Sequence, residues 1–133
     1  MGFDPRRGSQ RVTSRRDPPV KGSVNRSPDA RRDLIEVYRR YEREAGTRTA
    51  ERFLTVAEAA FLRLAAMPAM GARLDLDRPL IADLRYLPLP SRFKKHIVFY
   101  RPVPGGIEVA RVLHGSQDIS AILSQGFEAE DDT

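Results

Sequence analysis

An α+β fold is predicted for this chain of 133 residues: an antiparallel helical hairpin packed on one face of a small, mainly antiparallel sheet, with a short C-terminal helix. Three observations predict it. Two stretches with apolar residues at helical spacing are separated by little more than Gly46. A β-branched and aromatic run, His96 to Arg101, is followed by Pro104-Gly105-Gly106 and a second alternating run. No segment repeats, and helical periodicity gives way once to strand periodicity rather than alternating with it.

Val20 to Arg26 reads as a first short strand. Ser27-Pro28 starts a helix, because a serine hydroxyl accepts from the first free amides and proline is preset for the first helical position. Leu34, Val37, Tyr38, Tyr41 and Ala45 then form an apolar stripe, with Arg32, Glu36, Arg39, Arg40 and Arg43 opposite. Glycine at 46 stops this helix, and Thr47 is the expected cap of the next. Ala50, Phe53, Leu54, Ala57, Ala60, Phe61 and Leu64 make its stripe, and Met67-Pro68 ends it. So short a connection requires the two helices to run antiparallel. A loop, Ala69 to Pro79, leads to a strand around Leu84, Tyr86 and Leu87, ended by Pro88 and Pro90. His96 to Arg101 is the next strand, Pro104-Gly105-Gly106 the hairpin turn, and Ile107 to His114 the return. Strict alternation there puts Arg111 on one face with Ile107, Val109 and Leu113. Asp118 to Leu123 is a short helical segment. The hairpin leaves the other face of the sheet open to a partner.

Composition sets the domain boundaries. Residues 1–27 contain five apolar residues (Met1, Phe3, Val12, Val20, Val24), too few to offset the entropy of ordering. Residues 1–19 are therefore expected to be a disordered basic tail, residues 20–127 a single domain, and residues 128–133 an acidic tail. Lys plus Arg is 23 against 18 Asp plus Glu, a net charge of +5. Residues 1–27 hold seven basic and two acidic residues, 7 − 2 = +5, so the basicity resides largely in the tail and argues little for nucleic-acid binding.

Several classes are excluded. No apolar run approaches the roughly 18 residues that cross a bilayer, and the N-terminal arginines precede no apolar stretch of the kind a secretory signal needs. With no cysteine there is no disulfide framework, thiolate metal site or thiol nucleophile. Two histidines without a nearby acidic pair do not make a catalytic zinc site. A cytoplasmic location, with no membrane partner and no metal, is the expectation.

Four motifs in order resemble the RelE/ParE toxins of type II toxin–antitoxin systems. Ala30-Arg-Arg-Asp-Leu-Ile-Glu-Val-Tyr-Arg-Arg-Tyr41 resembles their opening helix. Ala50 to Leu64 with Met67-Pro68-Ala69-Met70-Gly71 resembles the second helix and its P-x-x-G exit. Leu84 to Leu89 resembles the following strand. Arg111-Val112-Leu113-His114-Gly115-Ser116-Gln117-Asp118 is similar to the ParE ending R-V-L-H-G-x-R-D, with Gln117 where arginine is common. The resemblance covers about 100 residues and is strongest to the ParE branch. It implies a toxin that inhibits DNA gyrase by binding, without a cofactor or small-molecule substrate, and that is neutralised by a cognate ParD-like antitoxin. The alternative is a RelE-like endoribonuclease acting on mRNA at the ribosome; a third is an inactive or repurposed antitoxin-binding module.

Cleavage of RNA needs an acid, a base and cations at the scissile phosphate. His114 and His96 are candidates for proton transfer, Arg85, Arg101 and Arg111 for charge, and Tyr100 for hydroxyl donation. Each has a plain structural reading. His114 caps the turn at Gly115, Tyr100 belongs to the sheet core, and a buried Arg111 pairs with Asp118, Asp83 or Glu108. Lys94 and Lys95 are a solvated edge or guide an anionic surface. No spacing among these residues demands catalysis, so the nuclease alternative would rest on His114, Arg111, Arg85 and Tyr100, and the binding reading on Arg85, Lys94, Arg101, Arg111 and His114. The arginines of the helices are interleaved with glutamates and read as a solvated face.

Overall fold

The computed structural model describes residues 22–74 and 83–124. The expectations for the two tails, residues 1–19 and 128–133, fall outside them, as does most of the loop ahead of Leu84.

Helix α1 (Pro28–Ala45) begins as the sequence indicates: the Ser27 hydroxyl accepts from the Ala30 amide at 2.9 Å, with proline in the first turn. Helix α2 (Thr47–Ala66) does not use Thr47 as a cap; Thr47 is its first residue. The link is Gly46 alone, at φ 95° and ψ 162°, a region in which a Cβ would be strained. One residue thus ends α1 and starts α2, which forces the antiparallel hairpin.

Among the described residues, β1 (Ser23–Arg26), β2 (Ala72–Arg73), β3 (Arg85–Pro88), β4 (His96–Val103) and β5 (Gly106–His114) form one sheet in the order β1-β5-β4-β3-β2. β1 (Ser23–Arg26) runs parallel to β5 (Gly106–His114), and the other pairs are antiparallel. β1 lies so close to the hairpin turn that a Cβ at Gly106 would collide with the Ser23 carbonyl. β2 (Ala72–Arg73) falls inside the stretch expected to be loop. It is two residues long with no apolar alternation, so only its partner β3 (Arg85–Pro88) defines it. Pro88 does not end β3 early: it faces Ile97 across the ladder as the last strand residue. β4 (His96–Val103) extends two residues past Arg101.

The alternation expected for β5 fails at one point. Phe99 faces Arg111 while Tyr100 faces Val109, which leaves Ala110 as an extra, bulged residue. Ile107 and Val109 face the helices before the bulge, and Val112 does so after it. Ala110 and Leu113 pack on the opposite side. Arg111 comes directly after the bulge, so strict alternation from Ile107 and Val109 does not fix its direction.

The main core lies between hairpin and sheet, where Phe53, Phe61, Leu64, Tyr100, Ile107 and Val109 are fully buried. The other face is not open as expected. Leu84, Phe99, Ala110 and Leu113 form a second cluster, closed by Leu123 of α3 (Ile119–Ser124) with Ile119 and Ile122 beside it. Leu74 and Tyr86 pack against the same cluster, so the short helix shares the covering of a face that strand alternation makes apolar.

Candidate functional site

β1 stops at Arg26, so beyond Val109 no strand of the described residues lies beside that edge of β5. The start of α1 replaces the missing strand. The Ser27 amide donates to the Val109 carbonyl at 2.9 Å and the Ser27 hydroxyl to the Ala110 carbonyl at 2.7 Å. Two residues on, Asp33 accepts from the Val112 amide at 2.9 Å. Arg111 closes the arrangement with two bonds to Asp33, Nε to Oδ2 at 2.8 Å and Nη2 to Oδ1 at 2.9 Å. The hydrogen bond to Asp33 raises the arginine pKa further, outweighing burial, so the guanidinium stays charged and is held in a bidentate contact. None of the three expected partners holds Arg111. Asp118 instead accepts from Ala121 in the first turn of α3, Asp83 lies 3.3 Å from Arg85, and Glu108 binds Arg101 at 2.8 Å.

Tyr100 is fully buried. Its hydroxyl accepts from the Gly71 amide at 2.8 Å and donates to the Pro68 carbonyl at 2.7 Å. Burial raises its pKa, and the Gly71 amide and Arg85 oppose the rise without cancelling it, so the phenol stays protonated. Its cross-strand partner Arg85 donates to the Gly71 carbonyl at 3.0 Å. This explains the P-x-x-G exit of α2: the tyrosine clamps the turn at both ends, and a Cβ at Gly71 would lie 2.5 Å from the phenol oxygen.

A second group gathers where β4 begins and β5 ends. His96 and His114 are cross-strand partners, with ring centroids 5.1 Å apart. His96 is buried against Phe53 and Tyr41, its Nε2 3.0 Å from the Tyr41 hydroxyl and its Nδ1 without a hydrogen-bond partner among the described residues. Burial first, then His114 and Arg40, lower its pKa to about 4, so the ring is neutral near pH 7. In His114, Nδ1 receives the Ser116 amide at 3.0 Å. An amide can only donate, so Nδ1 is the acceptor and a neutral ring carries its proton on Nε2. Gln117 accepts the His114 amide at 2.7 Å, a task no guanidinium can perform because it has no acceptor.

The sequence candidates therefore divide. Arg85 and Tyr100 meet at the α2 exit, and His96 and His114 meet at the strand end about four residues, roughly 13 Å, away along β4. Arg111 faces α1, Arg101 faces Glu108, and Lys94 is exposed in the turn before β4. Asp33 was not singled out, although a signal existed: Ala30, Asp33, Leu34 and Val37 are the buried positions of α1, so a carboxylate sits on an apolar stripe and needs a partner. Gly71 closes the P-x-x-G motif in the sequence, but only the fold shows what it contacts. Among the described residues no three His, Asp or Glu side chains converge as metal ligands, and no helix is long and apolar enough to cross a membrane.

The family model for the ParE toxin of the type II toxin–antitoxin system parDE matches residues 24–119. No curated relative matches the sequence. Among solved structures, a chain described as the chromosomal ParDE TA system from P. aeruginosa superposes with a TM-score of 0.55 at 22% identity, over 69% of this chain and 94% of that one. That likeness is one of fold.

Proposed function

This chain belongs to the ParE toxin family of type II toxin–antitoxin systems, and from that premise we propose that it acts by binding, inhibiting DNA gyrase, and is neutralised by a ParD-like antitoxin. The observation that supports binding over RNA cleavage is the state of the four residues a nuclease would use. The Tyr100 hydroxyl both donates and accepts within the fold. Arg111 is locked to Asp33, and Arg85 is directed at the Gly71 carbonyl. The His114 ring holds the turn that follows it. Acid, base and cation are thus fastened at separate places rather than aimed at one phosphate. The antitoxin expectation draws on the family and on the ParDE system to which the structural neighbour belongs.

The test is DNA supercoiling by purified gyrase with increasing amounts of the full chain. Supercoiling is expected to fall, and adding the antitoxin encoded beside it restores activity. Unimpaired supercoiling together with codon-positioned mRNA cleavage on ribosomes would transfer the chain to the nuclease reading.

A further inference from the structure

Two basic runs that are 50 residues apart in the sequence come together at one end of the molecule. The 3-10 turn Ser91–Phe93 packs its Phe93 ring against Tyr41 of α1 and Phe53 of α2, with centroids 5.6 Å from each. That anchor places Arg92, Lys94 and Lys95 beside the last turns of α1. Arg92 and Arg40 both act on the Tyr41 hydroxyl, and Arg40 also acts on His96. Arg43 lies one turn beyond Arg40. All five cations are exposed, and none forms an ion pair among the described residues. Glu44 acts on Tyr41 from the same side, and Glu36 and Glu42 are exposed on the same helix within four residues of Arg40, so the five cations outnumber these three carboxylates.

The surroundings narrow the partner. The amide of Gly115 donates to the Lys95 carbonyl at 2.7 Å, which brings the Ser116 turn alongside. The exposed side chains there, Ser91, Ser116, Gln117 and Asp118, are polar, and Asp118 adds one carboxylate at the margin. The large exposed apolar residues, Ile35, Leu62, Met67 and Met70, are elsewhere. A peptide recognised by side-chain knobs needs apolar pockets or a free strand edge. A phosphate backbone needs cations and hydroxyls on a firm surface and nothing more. We propose that this end, Arg40 and Arg43 of α1 with Arg92, Lys94 and Lys95 of the turn before β4, docks on the phosphate backbone of duplex DNA. The contact is independent of sequence, and it is separate from any contact with gyrase.

The experiment is anisotropy of a fluorescent duplex of about 20 base pairs titrated with the full chain, at several salt concentrations. Each phosphate contact contributes about −0.9 to the slope of log K against log salt. The triple variant Arg92→Glu, Lys94→Glu, Lys95→Glu is expected to lose at least tenfold in affinity and to lower the slope by about 3, with the fold retained by circular dichroism, since all three are exposed and Arg92 gives up only its position 5.6 Å over the Phe93 ring. A matched variant reversing Arg6, Arg7 and Arg11 keeps this end intact and is expected to lose less. No binding by the native chain, an unchanged affinity in the triple variant, or displacement by polyglutamate as readily as by DNA would each overturn the proposal.

Discussion

The two faces of the sheet are closed by unequal means. Beneath α1 and α2, which are 18 and 20 residues long, Phe53, Phe61 and Tyr100 are wholly buried, and polar ties such as Asp33–Arg111 and the Tyr100 clamp pin the hairpin to the strands. On the opposite face a helix of six residues, with Leu74 and Tyr86 beside it, packs in one cluster with Leu84, Phe99 and Leu113. A helix that short has no stability of its own in water, so α3 persists only through Leu123 and its neighbours. The difference teaches that one sheet separates a rigid half from a half that opens at lower free energy.

The largest expected effect comes from breaking the rigid half. Phe53→Ala removes a ring at the centre of the contacts among Tyr41, Phe93 and His96. It is expected to cost about 3–5 kcal/mol, read as a lower urea midpoint for the whole domain. Arg111→Ala follows closely. It leaves the Asp33 carboxylate, only 10% exposed, with the Val112 amide as its one remaining donor among the described residues. The loss is expected to be about 3 kcal/mol, and a double-mutant cycle with Asp33→Asn should recover a coupling of more than 1 kcal/mol. Additive effects would mean that the pair contributes nothing to the rigidity of this half.

Acid tests the same half without a core deletion. The pKa of His96 falls from 6.5 to about 4 in the fold, so between those values the unfolded chain binds more protons. Stability is complete above pH 6.5 and declines as the pH falls toward 4, by roughly 3 kcal/mol in total. Urea unfolding at a series of pH values gives the slope, and His96→Gln should flatten it. A native slope already flat between pH 6.5 and 4 would show that the buried ring is not the titrating group.

How much of this was legible in the sequence depends on the range of the physics. Helix spans, the Ser27 cap and the β4–β5 hairpin are set by neighbouring residues, and all were readable. The parallel pairing of β1 and the strand β2 depend on a distant partner, and two residues such as Ala72 and Arg73 carry no period. The bulge at Ala110 is not a local signal either: it arises where β5 must satisfy β4 on one side and Ser27 and Asp33 on the other. That shift is why the partner of Arg111 was sought among Asp83, Glu108 and Asp118. For the candidate site the residue types were found, but not their roles. Tyr100 and Arg85 serve a glycine turn, and the basic end near Lys94 exists only because Phe93 packs on Tyr41.

The smallest global effect is expected from the outer face. Leu123→Ala deletes the one α3 side chain that is fully buried, at a cost of about 2 kcal/mol. Because α3 can detach while β4 and β5 keep their ladder, the cost should appear as local opening. Amide exchange in α3 would accelerate about 30-fold, while exchange in α2 and the urea midpoint shift far less than in Phe53→Ala. Equal acceleration in α2 would mean that the six-residue helix and the long hairpin unfold together. The sheet would then divide nothing, and both clusters would be one core that happens to have strands running through it.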